Sequence, residues 1–526
     1  MPSPINWIPP CSGASATGSG ARFRVVFNIS EVQLLVISRT SAIPLPDFCL
    51  WVFCPAGNPG ATAHMKKIGI IGVGFCGTML AAHLVRGASK PVKLILFDHK
   101  TKWNRGVAYR TYSERHLLNV VAGKMSAFAD APDHFLDWAQ KQPHFQGIKR
   151  EILSGAFLPR NLYGAYLDEL WQETKALASR KQIVIEAVYD QVVNLDRKQT
   201  GFELQLAGMQ PVEVDICVLA TGNQLPANPE LPDSSFTLDQ RYCRDPWSSE
   251  SIRIPDSDLP ILIVGNGLTM VDTVTGLIEH GVKNRILSLS THGFNILPHR
   301  HSGLQYNHLR QEIRDGMSLR ELVALFNRHI KKVRQLGISA EPVVDSIRPL
   351  SRQLWQQFTD AEKQLFMSRI RHLWGVARHR VPLHLHDKIQ QLRVERRLQI
   401  FAGHLLNIEA KPENMTVEYW DRKRKKTSVI EVSRIINCTG PQTDLSRMDE
   451  GLLRRCWSKG LLSQDKLRLG VEANPETYTV IDRYGVPVRS LCTLGSNLKG
   501  IFWESTAVNE LRSQAWQLAQ TIEQEI

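Results

Sequence analysis

Acidic residues are in short supply. The 526-residue chain has 51 Asp and Glu against 64 Lys and Arg, a formal charge of +13. Such an excess favours anionic ligands, which include nucleotides, anionic metabolites and nucleic acid. Zinc-finger spacing, an RNA-binding signature and internal repeats are all missing, so nucleic acid is not the expected partner. Long apolar runs are missing too: none reaches the ~18–20 residues of a membrane span, and no membrane partner is expected. The nine cysteines, at 11, 49, 54, 76, 217, 243, 438, 456 and 492, include no Cys-x-x-Cys. That excludes a dithiol relay and offers no disulfide framework, so free thiols in a cytoplasmic protein are expected.

Residues 1–64 differ in composition from the rest, with Glu31 and Asp47 as their only acids. Phe23 to Ile29 and Val32 to Ser38 have strand character, but two strands alone are marginal in water. The start lacks the basic region and apolar core of a secretory signal. Met65 is followed at once by the apolar run of a first strand. Residues 1–64 are therefore expected to be a disordered or non-native leader, with Met65 as the natural start.

What is present begins at Lys67 to Ile71, a buried parallel strand by its continuous apolar character, followed by Gly72-Val73-Gly74-Phe75-Cys76-Gly77 and a helix over Thr78 to Arg86. Gly72, Gly74 and Gly77 fill a G-x-G-x-x-G pattern. The first permits a tight turn, the second a close backbone approach to a pyrophosphate, and the third close helix packing. A second strand, Val92 to Phe97, ends in Asp98, at the distance expected for a ribose-binding acid. Cys76 reads as a small packing residue. Val212 to Thr221 ends in Ala220-Thr221-Gly222, and Ile435 to Gly440 repeats the strand-then-Thr-Gly pattern. Ser505 and Thr506 read as the cap of the C-terminal helix.

In order and spacing, from about Met65 to near the end, the chain resembles bacterial FAD/NAD(P)-binding proteins related to glutathione-reductase-type and monooxygenase flavoproteins. The segments that carry the likeness are G-V-G-F-C-G (72–77), R-G-V-A-Y (105–109), L-L-N-V (117–120), F-L-P-R-N-L-Y-G (157–164) and A-T-G (220–222). They continue as G-N-G-L-T-M-V-D (265–272), R-H-R-V-P (378–382), N-C-T-G (437–440) and W-E-S-T-A-V (503–508). The resemblance implies that Gly72, Gly74, Phe75 and Gly77 hold the FAD pyrophosphate and Asp98 the adenosine ribose. It places Gly106 and Asn119 on the flavin side and the backbone of Val188, in a strand from Ile183 to Leu195, at the adenine. Thr221 and Gly222 pass near the cofactor, while Gly495, Glu504 and Ser505 bring a loop and helix start to the flavin. Where relatives often carry Asp after that last glycine, this chain has Ser496.

A second apolar strand, Pro260 to Val264, leads into Gly265-Asn266-Gly267 and another helix. Met270 stands where a third small residue would pack, and Asp272 where related NAD(P)H sites often carry an acid. The next strand, Arg285 to Leu289, ends in Ser290-Thr291-His292-Gly293 without a carboxylate, which leans towards NADPH over NADH. From Gly303 to Leu398, Leu, Phe, Ile and Trp recur at helical spacing. The histidines crowded at its two ends, among them His384 and His386, lack the compact donor set of a metal site, and no metal is expected. Arg378, His379 and Arg380 are candidates to meet an anionic group of a substrate.

The fold expected is α/β: a Rossmann-like, two-dinucleotide-binding flavoprotein with a discontinuous FAD domain (65–245 and 400–526). Between its two parts lie an NAD(P)-binding-like segment (246–300) and a helical insertion (301–399). The implied activity is hydride transfer from NAD(P)H through FAD to a small-molecule substrate, which could be anionic, or to oxygen. The alternatives are an NADPH monooxygenase and a non-catalytic flavin- or nucleotide-binding regulatory protein. No catalytic acid or base stands out.

Overall fold

The computed structural model describes residues 65–99, 103–111, 113–300 and 304–526. The leader and its two candidate strands lie outside the described residues. Six strands form the first sheet, in the order Thr479–Ile481, Pro487–Thr493, Ile216–Leu219, Lys66–Ile71, Val92–Phe97, Val184–Val188. Every neighbouring pair is parallel except Thr479–Ile481 with Pro487–Thr493. The central strand carries K-K-I-G-I-I, and its last four residues are buried, because a parallel sheet covered on both faces tolerates a continuous apolar run. Helices Phe75–Gly87, Arg160–Arg180 and Val508–Glu525 lay Met79, Leu80, Leu167, Leu518 and Ile522 on one face. The chain thus returns after residue 479 to close the sheet it began at residue 66.

Two strands expected to be single are each divided. Val184–Val188 stays in the first sheet, whereas Val192–Arg197 joins a separate antiparallel sheet with Phe202–Leu206 and Val212–Val214. Asp190 makes the break by accepting from Gln191 N (2.7 Å) and Gly208 N (2.8 Å), a local carboxylate-to-backbone turn. Asp215 divides the other, between Val212–Val214 and Ile216–Leu219; its carboxylate accepts from Lys67 N at 2.7 Å.

The second sheet runs Lys426–Val432, Met415–Asp421, Leu398–Ala410, Ile286–Ser290, Ile261–Val264, Arg434–Asn437, Tyr242–Cys243. This corrects the expected boundaries: strands from residues 398–437 belong with the second glycine turn, not with the first sheet. Arg434–Asn437 lies parallel to Ile261–Val264, the place that Ile216–Leu219 takes beside Lys66–Ile71. The repeated strand-then-Thr-Gly pattern was the second half's own copy of that strand.

The insertion is helical, as its periodicity predicts. Its core gathers Leu322, Val343, Leu354, Trp355 and Phe366. A reciprocal capping box between Ser318 and Glu321 starts helix Leu319–Gln335. His384 and His386 fall on helix Leu383–Val394, where a spacing of two turns them to different faces. Among the described residues there is no cluster of three or more metal-binding side chains, and no helix long and apolar enough to cross a membrane.

Candidate functional site

Gly72 adopts φ +99°, and a Cβ built on it would stand 2.3 Å from Ala220 O. A Cβ on Gly77 would stand 2.0 Å from Gly72 O. Neither position accepts a side chain without moving backbone. Gly74 caps helix Phe75–Gly87 without a side-chain hydrogen bond, so the first-turn N–H groups remain available to an anion. Gly106 lies directly across from Gly74: a Cβ on Gly106 would come 3.3 Å from the Gly74 Cα. It stands over the phosphate turn itself. Phe75 buries its ring 6.4 Å from that of Tyr163, so only its backbone faces the turn.

Asp98 follows the second strand, and its Oδ2 accepts from Val73 N at 2.7 Å while Oδ1 accepts from His99 N at 2.7 Å. The acid therefore ties the glycine turn to the strand end. Asp98 N donates to Val188 O at 3.3 Å, which puts Val188 at the same edge. Beside this edge opens a cleft of about 480 Å³ lined by Trp103, Asn104, Arg105, Asp168, Trp171 and Tyr189. The Trp103 and Tyr189 rings lie 4.8 Å apart, and Arg105 is held by Asp168 through Nε at 2.9 Å. Sequence reasoning missed this aromatic wall, although Arg105 opens the R-G-V-A-Y motif and Trp103 stands two residues before it.

The C-terminal loop closes on the same turn. Gly495 (φ +79°) packs so tightly that a built Cβ would be 2.9 Å from Cys76 Sγ. Burial pushes the Cys76 thiol up to about 12, which makes it an inert packing group as expected. Asn497, also missed, is a buried hub: its Nδ2 reaches Thr221 Oγ1 (3.1 Å) and Thr493 Oγ1 (3.0 Å). Thr221 is thereby fixed to the loop, while Gly222 (φ +67°) has open space where a Cβ would be. Ser496 Oγ is buried without a partner.

Ser505 does something other than cap the helix. Its hydroxyl donates to Gly495 O at 2.6 Å and accepts from Gln514 Nε2 at 2.8 Å, while Gln514 Oε1 accepts from Gly495 N at 2.9 Å. Helix Val508–Glu525 starts instead after Ala507, with no side-chain cap. Ser505 loses the cap role because the buried Gly495 carbonyl competes for its hydroxyl. Glu504 pairs with Arg378 at 3.2 Å. Just before Glu504, Trp503 holds φ 60° and ψ −61°, with Glu504 N donating to Phe502 O at 2.7 Å. That is a strained γ-turn for a bulky residue, held in place by Trp355 and Phe366, whose rings lie 5.1 and 4.9 Å away.

The second glycine turn copies the first. Gly265 adopts φ +115°, and its built Cβ would stand 2.3 Å from Cys438 O, the carbonyl before Thr439-Gly440. Gly267 is open, and Asn266 Oδ1 is buried without a partner. Met270 is fully buried, filling the helix–sheet contact. Asp272, which stands where related NAD(P)H sites often carry an acid, is buried. It pairs in the interior with Arg160 at 2.9 Å, and its carbonyl meets His116 Nε2 at 2.9 Å. Asn119 likewise offers its carbonyl to His299 Nε2 (3.2 Å), whose other nitrogen meets Glu341 (3.1 Å). Arg380 is buried against Asp345 and Glu341, and the half-buried Arg378 pairs with Glu504, so two of the three cations expected to meet an anion are already neutralised.

Two glycine turns of one design, each wedged against the carbonyl before a Thr-Gly, are the signature of paired dinucleotide sites. Residues 69–224 match the family model described as FAD-NAD(P)-binding. The first turn lies within the matched residues. No curated protein sequence matches the chain. Among solved structures, the fold is similar to an ornithine N-hydroxylase of Kutzneria sp. 744, solved with reduced FAD, NADP+ and L-ornithine. The identity is 12%, the TM-score 0.60, and the match covers 88% of this chain and 99% of that one. It is also similar to an ornithine hydroxylase from Pseudomonas aeruginosa (14%, TM-score 0.59, 88% and 99%). A third is the L-lysine 6-monooxygenase from Pseudomonas syringae (15%, TM-score 0.60, 88% and 100%). At these identities the likeness is one of fold.

The residues around the first turn fit an extended dinucleotide. An uncapped helix start, glycines with no room for side chains, and the unpartnered Ser496 hydroxyl meet at one sheet edge. The second turn offers the equivalent pair, the open Gly267 and the unpartnered Asn266 oxygen.

Proposed function

We propose that this chain is an FAD-dependent NAD(P)H oxidoreductase acting on a small molecule in the cytoplasm. The reading rests above all on the duplicated turn, in which Gly72 against Ala220 and Gly265 against Cys438 build two phosphate cradles in one chain. When bound, the flavin supplies two-electron redox chemistry. The protein's own residues bind and orient. The turn at 72–77 and the start of helix Phe75–Gly87 receive the pyrophosphate, and Asp98 the ribose. Val188, Trp103 and Tyr189 border the adenine, while the Gly495–Asn497 loop, locked by Ser505 and Gln514, borders the ring end. The turn at 265–267 receives the nicotinamide dinucleotide. Buried free thiols at Cys217, Cys243 and Cys438 support a reducing compartment.

A monooxygenase is the second reading, favoured by the fold of the three hydroxylating neighbours. Their ornithine and lysine are the first substrates to try, with anionic amines beyond them. The deciding experiment is an absorbance spectrum of purified protein before and after anaerobic NADPH. A flavin spectrum that bleaches is expected. A colourless protein that cannot be reconstituted with FAD would overturn the reading, and a flavin that no nicotinamide reduces would favour the regulatory alternative. Oxygen uptake that rises with substrate and matches NADPH consumption separates monooxygenase from reductase.

A further inference from the structure

At the end of strand Ile286–Ser290 the chain lacks the carboxylate that would bind the 2′-hydroxyl of NADH, and the structure brings four basic side chains there instead. Arg422, from the hairpin turn between Met415–Asp421 and Lys426–Val432, crosses back to this strand end. Its Nη1 donates to Thr291 O at 2.8 Å and meets His292 Nδ1 at 3.1 Å. From the helical insertion, His372 brings its ring to 4.6 Å from that of His292. Arg371 Nη2 lies 3.1 Å from His372 Nε2. The cluster thus draws on three separate stretches of chain.

Its location is tied to the second glycine turn. His292 stacks on Phe294 at 5.0 Å and 11°, and the Phe294 carbonyl accepts from Asn266 Nδ2, inside that turn. Gly293, at φ +60°, makes the corner where a Cβ would press to 3.0 Å on Ala402. Among the described residues no carboxylate pairs with Arg371, Arg422, His292 or His372. The nearest acid in sequence, Asp421, is buried and spends Oδ1 on Lys423 N and Arg424 N, both at 2.9 Å. Arg371, His372 and Arg422 are exposed, and residues 422–426 are all Lys or Arg. Four basic groups held together without an acid gain from a doubly charged anion among them.

We infer that Arg422, His292, His372 and Arg371 form the pocket for the 2′-phosphate of NADPH, and that the helical insertion completes this pocket. The inference rests on the reading of the 265–267 turn as a nicotinamide dinucleotide site. It assigns the choice of NADPH over NADH to a hairpin and an insertion, neither of which belongs to the glycine turn itself.

The test is calorimetric titration of the flavin-loaded protein with adenosine 2′,5′-bisphosphate and with 5′-AMP, which differ only in the 2′-phosphate. The first should bind at least ~10-fold tighter, a difference of about 1.4 kcal/mol. Arg422→Ala and His372→Ala should each shrink that ratio several-fold while leaving 5′-AMP unchanged. Lys423→Ala removes an equal charge one residue away and should leave the ratio intact. Equal binding of the two nucleotides by the unaltered protein would overturn the inference. So would an Arg422→Ala ratio equal to the original, or a Lys423→Ala loss as large. Anaerobic reduction is the separate arm: binding of the bisphosphate without reduction by NADPH would sink the oxidoreductase reading and leave the pocket standing.

Discussion

At the scale of single residues, the most constrained position is Gly72. Any L side chain there faces both a left-handed φ of +99° and a carbonyl 2.3 Å from its Cβ. Gly72→Ala is expected to lose bound flavin and to cost on the order of 2 kcal/mol or more, from the combined backbone strain and clash. Flavin content per protein and the urea midpoint measure the two effects. Ser505 is a second such point. Ser505→Ala leaves the Gly495 carbonyl and the Gln514 amide without their partner in the interior, a loss of about 1–3 kcal/mol. Because Gly495 lies on the loop proposed to border the flavin, FAD affinity should fall with stability. Cys76 predicts the opposite kind of result. With its thiol pushed up to about 12 by burial, it should resist alkylation in the native protein at pH 8 and react only after unfolding. Peptide mapping of labelled protein reads this directly.

At the scale of elements, helix Phe75–Gly87 carries a group that reports on pH. Burial, then the nearby Arg86, lower His83 from its ordinary value of 6.5 to about 4. As pH falls the unfolded chain takes this proton first, so stability rises with pH across this window. The contribution of His83 is complete above about pH 6.5 and is lost as pH falls towards 4. His83→Phe should flatten that part of the acid limb by one proton, seen in urea midpoints between pH 7 and 4. Helix Leu268–Glu279 is joined to helix Arg160–Arg180 by the buried Asp272–Arg160 pair. Removing one partner alone, as in Asp272→Ala, is expected to cost about 3–5 kcal/mol. Replacing both with methionine should cost far less, because no charge is then stranded.

Elements also show where local sequence is a sufficient guide. The glycine turns and their flanking strands were legible because tight turns and doubly buried strands impose residue types within a dozen positions. The strand expected from Ile183 to Leu195 was misjudged because its apolar run continues across Asp190. Only the reach of that carboxylate to Gly208 shows the turn. The Ser505 cap was misjudged for a similar reason: its hydroxyl answers to a carbonyl ten residues away in the chain rather than to the helix that follows.

For the whole molecule, the first sheet depends on chain that arrives last. Strand Pro487–Thr493 pairs with Ile216–Leu219, and helix Val508–Glu525 packs on Phe75–Gly87. Ending the chain after residue 474 should therefore abolish flavin binding and soluble expression, even though it spares every residue of the first glycine turn.

The sequence by itself determined the two strand–turn–helix units, the Thr-Gly partners of each, the helical insertion and the lack of an acid after strand Ile286–Ser290. These follow from steric and burial rules that act over short spans of chain. Tertiary structure alone decided which half the strands of residues 398–437 complete, and that Asp272 is spent on Arg160. It also decided that Trp103 and Tyr189 wall the cleft beside Asp98, and that Arg422 and His372 meet at His292. Each of those pairings joins residues tens to hundreds of positions apart. Such contacts depend on how sheets and helices pack, and residue spacing carries no signal for them.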